Sequence, residues 1–232
     1  VSELFSAVIA LSVGGILPIV ILSYCLVKRS YVKAFLLGVL TFIIFQLVLR
    51  LPLLQFLSKN SLEFNLFQTM HPIVYLLFLA FTAGLFEEVG RYVMMNYCLK
   101  AYASFQTAVF FGLGHGGIEA FLFLGMNALI YLISPVHPEI ATSDFLWGSL
   151  ERIIAITFHV ELSIIVMKSV EEQKLHYLWF AIVLHGLIDS VIAIAQYSGS
   201  LSLILTESLF GIIVIGLGFY VRKLKKEWSV LK

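Results

Sequence analysis

Glu87, Glu88 and Arg91 fall within one apolar run of this chain. His115 and Glu119 fall in the next, His159 and Glu161 in a third, His185 and Asp189 in a fourth, and Glu207 in the last. An ionisable side chain inside such a run is costly and asks for a reason. An acid held in a low-dielectric pocket becomes a better proton acceptor or donor near neutral pH. Imidazoles can donate hydrogen bonds to a developing oxyanion. Together these are the parts that peptide-bond hydrolysis uses, an activated water and a stabilised oxyanion. Arg91 is i,i+3 from Glu88 and i,i+4 from Glu87, so it can hold either acid ionised while the other exchanges a proton. Asp189, one turn after His185, can fix that ring's tautomer.

Zinc is the competing use of the same residues. Three histidines (His115, His159 and His185) and a carboxylate match a catalytic zinc sphere in kind and count. The chain has no H-E-x-x-H run. The ligands would then come from separate helices, as helix bundles allow. Metal-dependent and metal-free hydrolysis are both open on the residues alone.

The elements that must position these groups are membrane spans. Hydrophobic residues make up 60% of the 232-residue chain and charged residues 12%, and the mean hydropathy is +0.99. A water-soluble domain cannot hide that much apolar surface. A net charge of +1 argues against a nucleic-acid surface. Cys25 and Cys98 both lie in apolar stretches and suggest neither a disulfide framework nor a thiolate metal site. The hydropathy pattern predicts an all-α polytopic transmembrane helix bundle of about seven spans. They cover Leu4 to Val27, Ala34 to Phe56, Pro72 to Leu99, Phe105 to Ile133, Asp144 to Met167, Tyr177 to Tyr197 and Leu201 to Val221. A polar connector, Lys59 to Thr69, separates the second and third, and Pro135 and Pro138 break the chain after the fourth. The opening run is too long for a signal-peptide core and is read as a retained span. Residues 1–232 are expected to form a single membrane domain with a catalytic core at about 72–197.

Basic residues set the expected orientation. Lys28, Arg29, Lys33, Lys100, Lys168, Lys174, Arg222, Lys223, Lys225 and Lys226 fall on alternate connectors, whereas the opposite set carries only Lys59. This places the N-terminus outside and the C-terminus in the cytosol. A helix rises about 1.5 Å per residue, so Glu87 lies about 18 Å from the cytosolic end of its span, His115 about 15 Å, and His159 and His185 about 12 Å. The antiparallel spans thus put their polar groups in one slab. The i,i+4 pairs Glu87/Arg91, His115/Glu119, His159/Ser163 and His185/Asp189 each share a helix face. The simplest packing turns the four faces inward around one wet cavity, with Glu119 and Ser163 supporting the histidines. Gly112, Gly114, Gly116 and Gly117 flank His115. They would let another helix or a substrate strand come close.

Blander readings stand beside these. A membrane histidine such as His159 also serves as a helix–helix hydrogen-bond partner, and Glu87-Glu88 with Arg91 also reads as a structural ion pair. Arg50, Glu151, Arg152 and Glu207 lie nearer the outer half and read as inter-helix pairs or interface anchors. His71, His137 and His176 lie at span ends and read as interfacial.

Three strings carry a family resemblance: Phe86-Glu87-Glu88-Val89-Gly90-Arg91, Phe111-Gly112-Leu113-Gly114-His115 and His185-Gly186-Leu187-Ile188-Asp189. They resemble the type II CAAX prenyl endopeptidase and bacteriocin-processing superfamily. The Glu-Glu-Val-Gly-Arg-Tyr and Gly-His-Gly-Gly-Ile-Glu strings are most similar to its YhfC-type branch of bacterial intramembrane metalloproteases. The superfamily places three residues between the second glutamate and the arginine; here two intervene, which moves Arg91 one helical step, about 100°. Asp189 stands where asparagine is an alternative and adds a possible charge. The resemblance implies that Glu87 is the general base that activates water. It implies that His115 orients that water or ligates a metal, and that His185 and Asp189 stabilise the oxyanion. His159 has no counterpart in the three strings, but its depth assigns it to the same site. The expectation is therefore an intramembrane endopeptidase in a bacterial plasma membrane. It would act on a membrane-anchored or hydrophobic peptide, with zinc as a possible cofactor and the lipid bilayer as partner. The rivals are a non-catalytic membrane scaffold or immunity protein, which has no need of a water-activating acid, and a proton-coupled transporter, which inverted repeats would favour.

Overall fold

The computed structural model describes residues 3–134, 142–199 and 201–230. All regular structure among them is helical. Seven helices are long and apolar enough to cross a membrane: α1 Glu3–Lys28, α2 Val32–Asn60, α4 Pro72–Cys98, α5 Phe105–Ile133, α6 Ser143–Glu172, α7 His176–Ser198 and α8 Leu203–Trp228. The connector between α2 and α4 is itself a helix, α3 Leu62–Met70. Pro135 and Pro138, to which the sequence assigned a break, and His137, read as interfacial, lie outside the described residues.

Local chemistry explains where the helices depart from the hydropathy reading. Ser61 caps α3 by accepting a hydrogen bond from the Phe64 amide at 3.1 Å. Phe64 and Phe67 then pack edge-on against Tyr75 and Phe78 of α4 at centroid distances of 5.8 to 6.1 Å. A segment that reads as polar in composition therefore has one aromatic face to bury. Beyond Met167, α6 continues because Lys168 bridges Glu171 and Glu172 at 3.0 Å each along the helix. Pro18 and Pro52 lie inside spans without ending them. Each follows a π-helical stretch, Ser12–Ile16 and Ile43–Arg50 respectively. The wider turn relaxes the register in which a proline ring would otherwise meet the carbonyl four residues back.

The chain divides into two compact units. The first comprises Val1–Val39, Ser104–Ile164 and Val214–Lys232. In it the π-helical stretches of α1 and α5 cross at Gly14 and Gly125, where a Cβ on Gly14 would lie 2.5 Å from the Gly125 nitrogen. Below that crossing Ala7, Ala10, Leu124, Ala128, Tyr131 and Phe145 form a buried apolar cluster, and the Tyr131 hydroxyl donates to Glu3 at 2.9 Å. The second unit comprises Leu40–Ala103 and Ile165–Ile213. Its main packing is α4 against α7, and a Cβ on Gly84 would come within 3.0 Å of the Gly186 nitrogen. Large apolar side chains such as Val20, Ile212 and Ile215 are exposed while Glu88, Arg91 and His115 are fully buried. That distribution suits a protein whose solvent is lipid.

Candidate active site

Six of the residues singled out by the sequence, Glu87, Glu88, Arg91, His115, His159 and His185, are each no more than 4% exposed. Both units contribute to this set, and each holds a polar cluster of its own.

In the second unit the close approach of α4 and α7 at Gly84 and Gly186 carries Glu88 to His185, with Oε1 2.8 Å from Nδ1. The other Glu88 oxygen accepts from Arg91 Nη1 at 3.0 Å. A carboxylate paired with arginine is an acceptor only, so Nδ1–H of His185 donates to it. On the far side of the ring, Nε2 faces Asp189 Oδ2 at 3.5 Å, long for a hydrogen bond but within ion-pair range. His185 thus stands between two acids, with Glu88 buried and Asp189 partly open. The two adjacent glutamates separate in role. Arg91 goes to Glu88, whereas Glu87 accepts from the neutral amide Nε2 of Gln46 at 2.9 Å.

Gln46 is itself held. Its Oε1 accepts from Arg50 Nη1 at 3.1 Å. Arg50 also donates to the Leu79 carbonyl at 2.6 Å and to Thr82 Oγ1 at 3.2 Å. Arg50, read from the sequence as an inter-helix anchor, does tie α2 to α4. In doing so it fixes which end of the Gln46 amide faces Glu87. Gln46 was missed by the sequence reading because it is uncharged. The available signal was its i,i+4 spacing from Arg50, the same two-tier pattern as in the other spans.

In the first unit α5 and α6 approach through Gly112 and Gly116. A Cβ on Gly112 would lie 2.5 Å from Val160 Cα, and one on Gly116 would lie 3.3 Å from His159 Cβ. The glycines beside His115 admit a helix, and the helix brings a second histidine. The rings of His115 and His159 have centroids 5.0 Å apart, and a nitrogen of one lies within 4.8 Å of a nitrogen of the other. Glu119 Oε2 sits 2.5 Å from His159 Nε2, and Glu119 Oε1 accepts from Arg152 Nη1 at 2.7 Å. Arg152 also pairs with Glu151 and lies over the Phe123 ring at 5.9 Å. Glu119, which the sequence associated with His115 through their i,i+4 spacing, therefore engages His159. The Ser163 hydroxyl donates back to the His159 carbonyl at 2.7 Å. Its support is to the helix backbone. Glu161, two residues from His159, lies on a different face and meets the position of a Gly218 Cβ at 3.0 Å. At the helix ends, His71 caps α4 through its backbone and His176 packs on Tyr177 at 4.1 Å.

The donor set of the first unit suits a metal. Two buried imidazoles face each other, and a carboxylate braces one of them, the arrangement in which a metal-bound histidine gives its second nitrogen to an acid. His185 has both ring nitrogens facing acids, Glu88 at 2.8 Å and Asp189 at 3.5 Å.

Seven apolar spans with buried acids and imidazoles define a polytopic integral membrane protein. The chain belongs to the family described as YhfC intramembrane metalloprotease, whose profile matches residues 15–146 and 133–210. It is 29% identical over 217 residues to the uncharacterized membrane protein YhfC of Bacillus subtilis (strain 168), covering 79% of this chain and 83% of that protein. No solved structure matches.

Proposed function

We propose that this protein is an intramembrane endopeptidase of a bacterial plasma membrane, cutting membrane-anchored or hydrophobic peptides, and that its family is a branch of the CAAX-protease-like superfamily. The division of labour between two neighbouring acids carries the reading: Glu88 is committed to Arg91 and His185, and Glu87 is oriented by an amide. A purely structural ion pair needs one acid and gains nothing from a second whose amide partner is held in turn by Arg50.

In this scheme Glu87 takes a proton from the attacking water and returns it to the leaving amide nitrogen. His185 lies between Glu88 and Asp189. In its imidazolium form Nδ1–H is engaged by Glu88, and Nε2–H, 3.5 Å from Asp189, is the donor for the oxyanion. Arg91 pairs with Glu88 and holds it against the ring. His115 and His159 would hold zinc, with Glu119 and Arg152 fixing the His159 ring. Zinc, when bound there, supplies Lewis acidity. The family description and the facing imidazoles support this part. Purified protein is expected to carry about one zinc per chain, lost in His115→Ala and His159→Ala. Protein that binds no zinc when offered it, with cleavage that survives chelation, would remove both histidines from the metal role.

A further inference from the structure

A cavity of about 350 Å³ lies in the first unit, lined by Ser104, Phe105, Gln106, Arg222, Lys225, Lys226 and Trp228. It is set at the first residue of α5 and the last of α8, the ends of two spans. Its lining holds three cations and no acid. Phe105 and Trp228 form its apolar part, edge to face at 6.1 Å. Lys225 Nζ lies 4.9 Å from the centre of the Phe105 ring, so an aromatic face stands beside its ammonium. Trp228 is 5% exposed. The first-turn amides of Phe105 and Gln106 have no carbonyl behind them within the helix and add to the positive field.

We infer that this cavity binds a phosphate group, supplied by the headgroup of an anionic lipid or by free phosphate. A tetrahedral dianion or diester suits three cations lining one cavity better than a carboxylate does, since it offers several oxygens to separate donors. The aromatic rings at the span ends place it at headgroup depth. The charge-based orientation puts it on the cytosolic face, where anionic lipids attract such residues. The inference does not depend on the protein being a protease, since no residue of the cavity belongs to the proposed site.

The test is lipid retention by the full chain, purified in detergent and measured by native mass spectrometry. Phosphatidylglycerol and phosphatidylcholine are offered in equal amounts, with and without inorganic phosphate. Phosphatidylglycerol is expected to be retained preferentially, and each of Arg222→Gln, Lys225→Gln and Lys226→Gln to lower its retention by about fivefold. Lys223→Gln removes a charge from the same helix end but not from the cavity, and is expected to leave retention nearly unchanged. Competition by inorganic phosphate, or its own retention, assigns the site to the phosphate itself; retention indifferent to free phosphate assigns it to the lipid headgroup. Equal retention of the two lipids with no phosphate bound overturns the inference. So does a loss in Lys223→Gln as large as in Lys225→Gln, because it would reduce the effect to diffuse surface charge. All four positions are exposed, so the variants should fold, and an unchanged thermal transition checks this.

Discussion

Glu88 and His185 meet at 2.8 Å across the α4–α7 packing, and Arg91 closes the group from one turn along α4 at 3.0 Å. All three are buried. Removing one member leaves an uncompensated charge inside the protein. Glu88→Ala is therefore expected to destabilise the fold by about 3–5 kcal/mol. Glu87→Gln trades one polar contact to Gln46 for another and should cost about 1 kcal/mol or less. Thermal unfolding in micelles checks the pair, and equal losses would contradict the division of roles between the two acids.

Gln46 connects Arg50 to Glu87. Replacing it with leucine keeps the volume and removes the orientation of the acid. The expected result is a fall in kcat of about 10- to 100-fold with KM little changed, because a misplaced base slows chemistry more than binding. Gln46→Glu, which sets a like charge beside Glu87 and removes the amide donor, should also lower kcat. A KM effect alone would assign Gln46 to substrate binding.

Glu119 braces His159 and is braced by Arg152. Glu119→Ala is expected to weaken zinc affinity by about 10- to 100-fold, with Arg152→Met intermediate. Titration against a chelator of known affinity measures both. Unchanged affinity in Glu119→Ala would reduce the contact to packing.

The spans were legible because hydropathy is a length-and-composition signal, and lipid leaves helices as the only open-chain solution. The acids and histidines were legible for the same reason, since each is an exception within an apolar run. What escaped the sequence depends on contacts between segments. The aromatic face of Leu62–Met70 acquires meaning only against Tyr75 and Phe78. The commitment of Arg91 to Glu88 rather than Glu87 was left open by i,i+3 and i,i+4 spacing alike, and packing decided it. Glu119 shares a face with His115 on α5, yet the glycine-mediated approach of α6 delivers His159 to it. The π-helical stretches that accommodate Pro18 and Pro52 have no simple pattern in composition.

Turnover by Glu87→Gln is the most direct test of the account. Protein reconstituted in vesicles is presented with a pool of fluorescence-quenched peptides, each carrying one membrane-spanning segment, and fragment release is followed for wild type and variant. Loss of a general base predicts a fall of about 10²- to 10⁴-fold in the variant, with zinc content and thermal transition retained. Fragment release at the wild-type rate by Glu87→Gln would contradict the account.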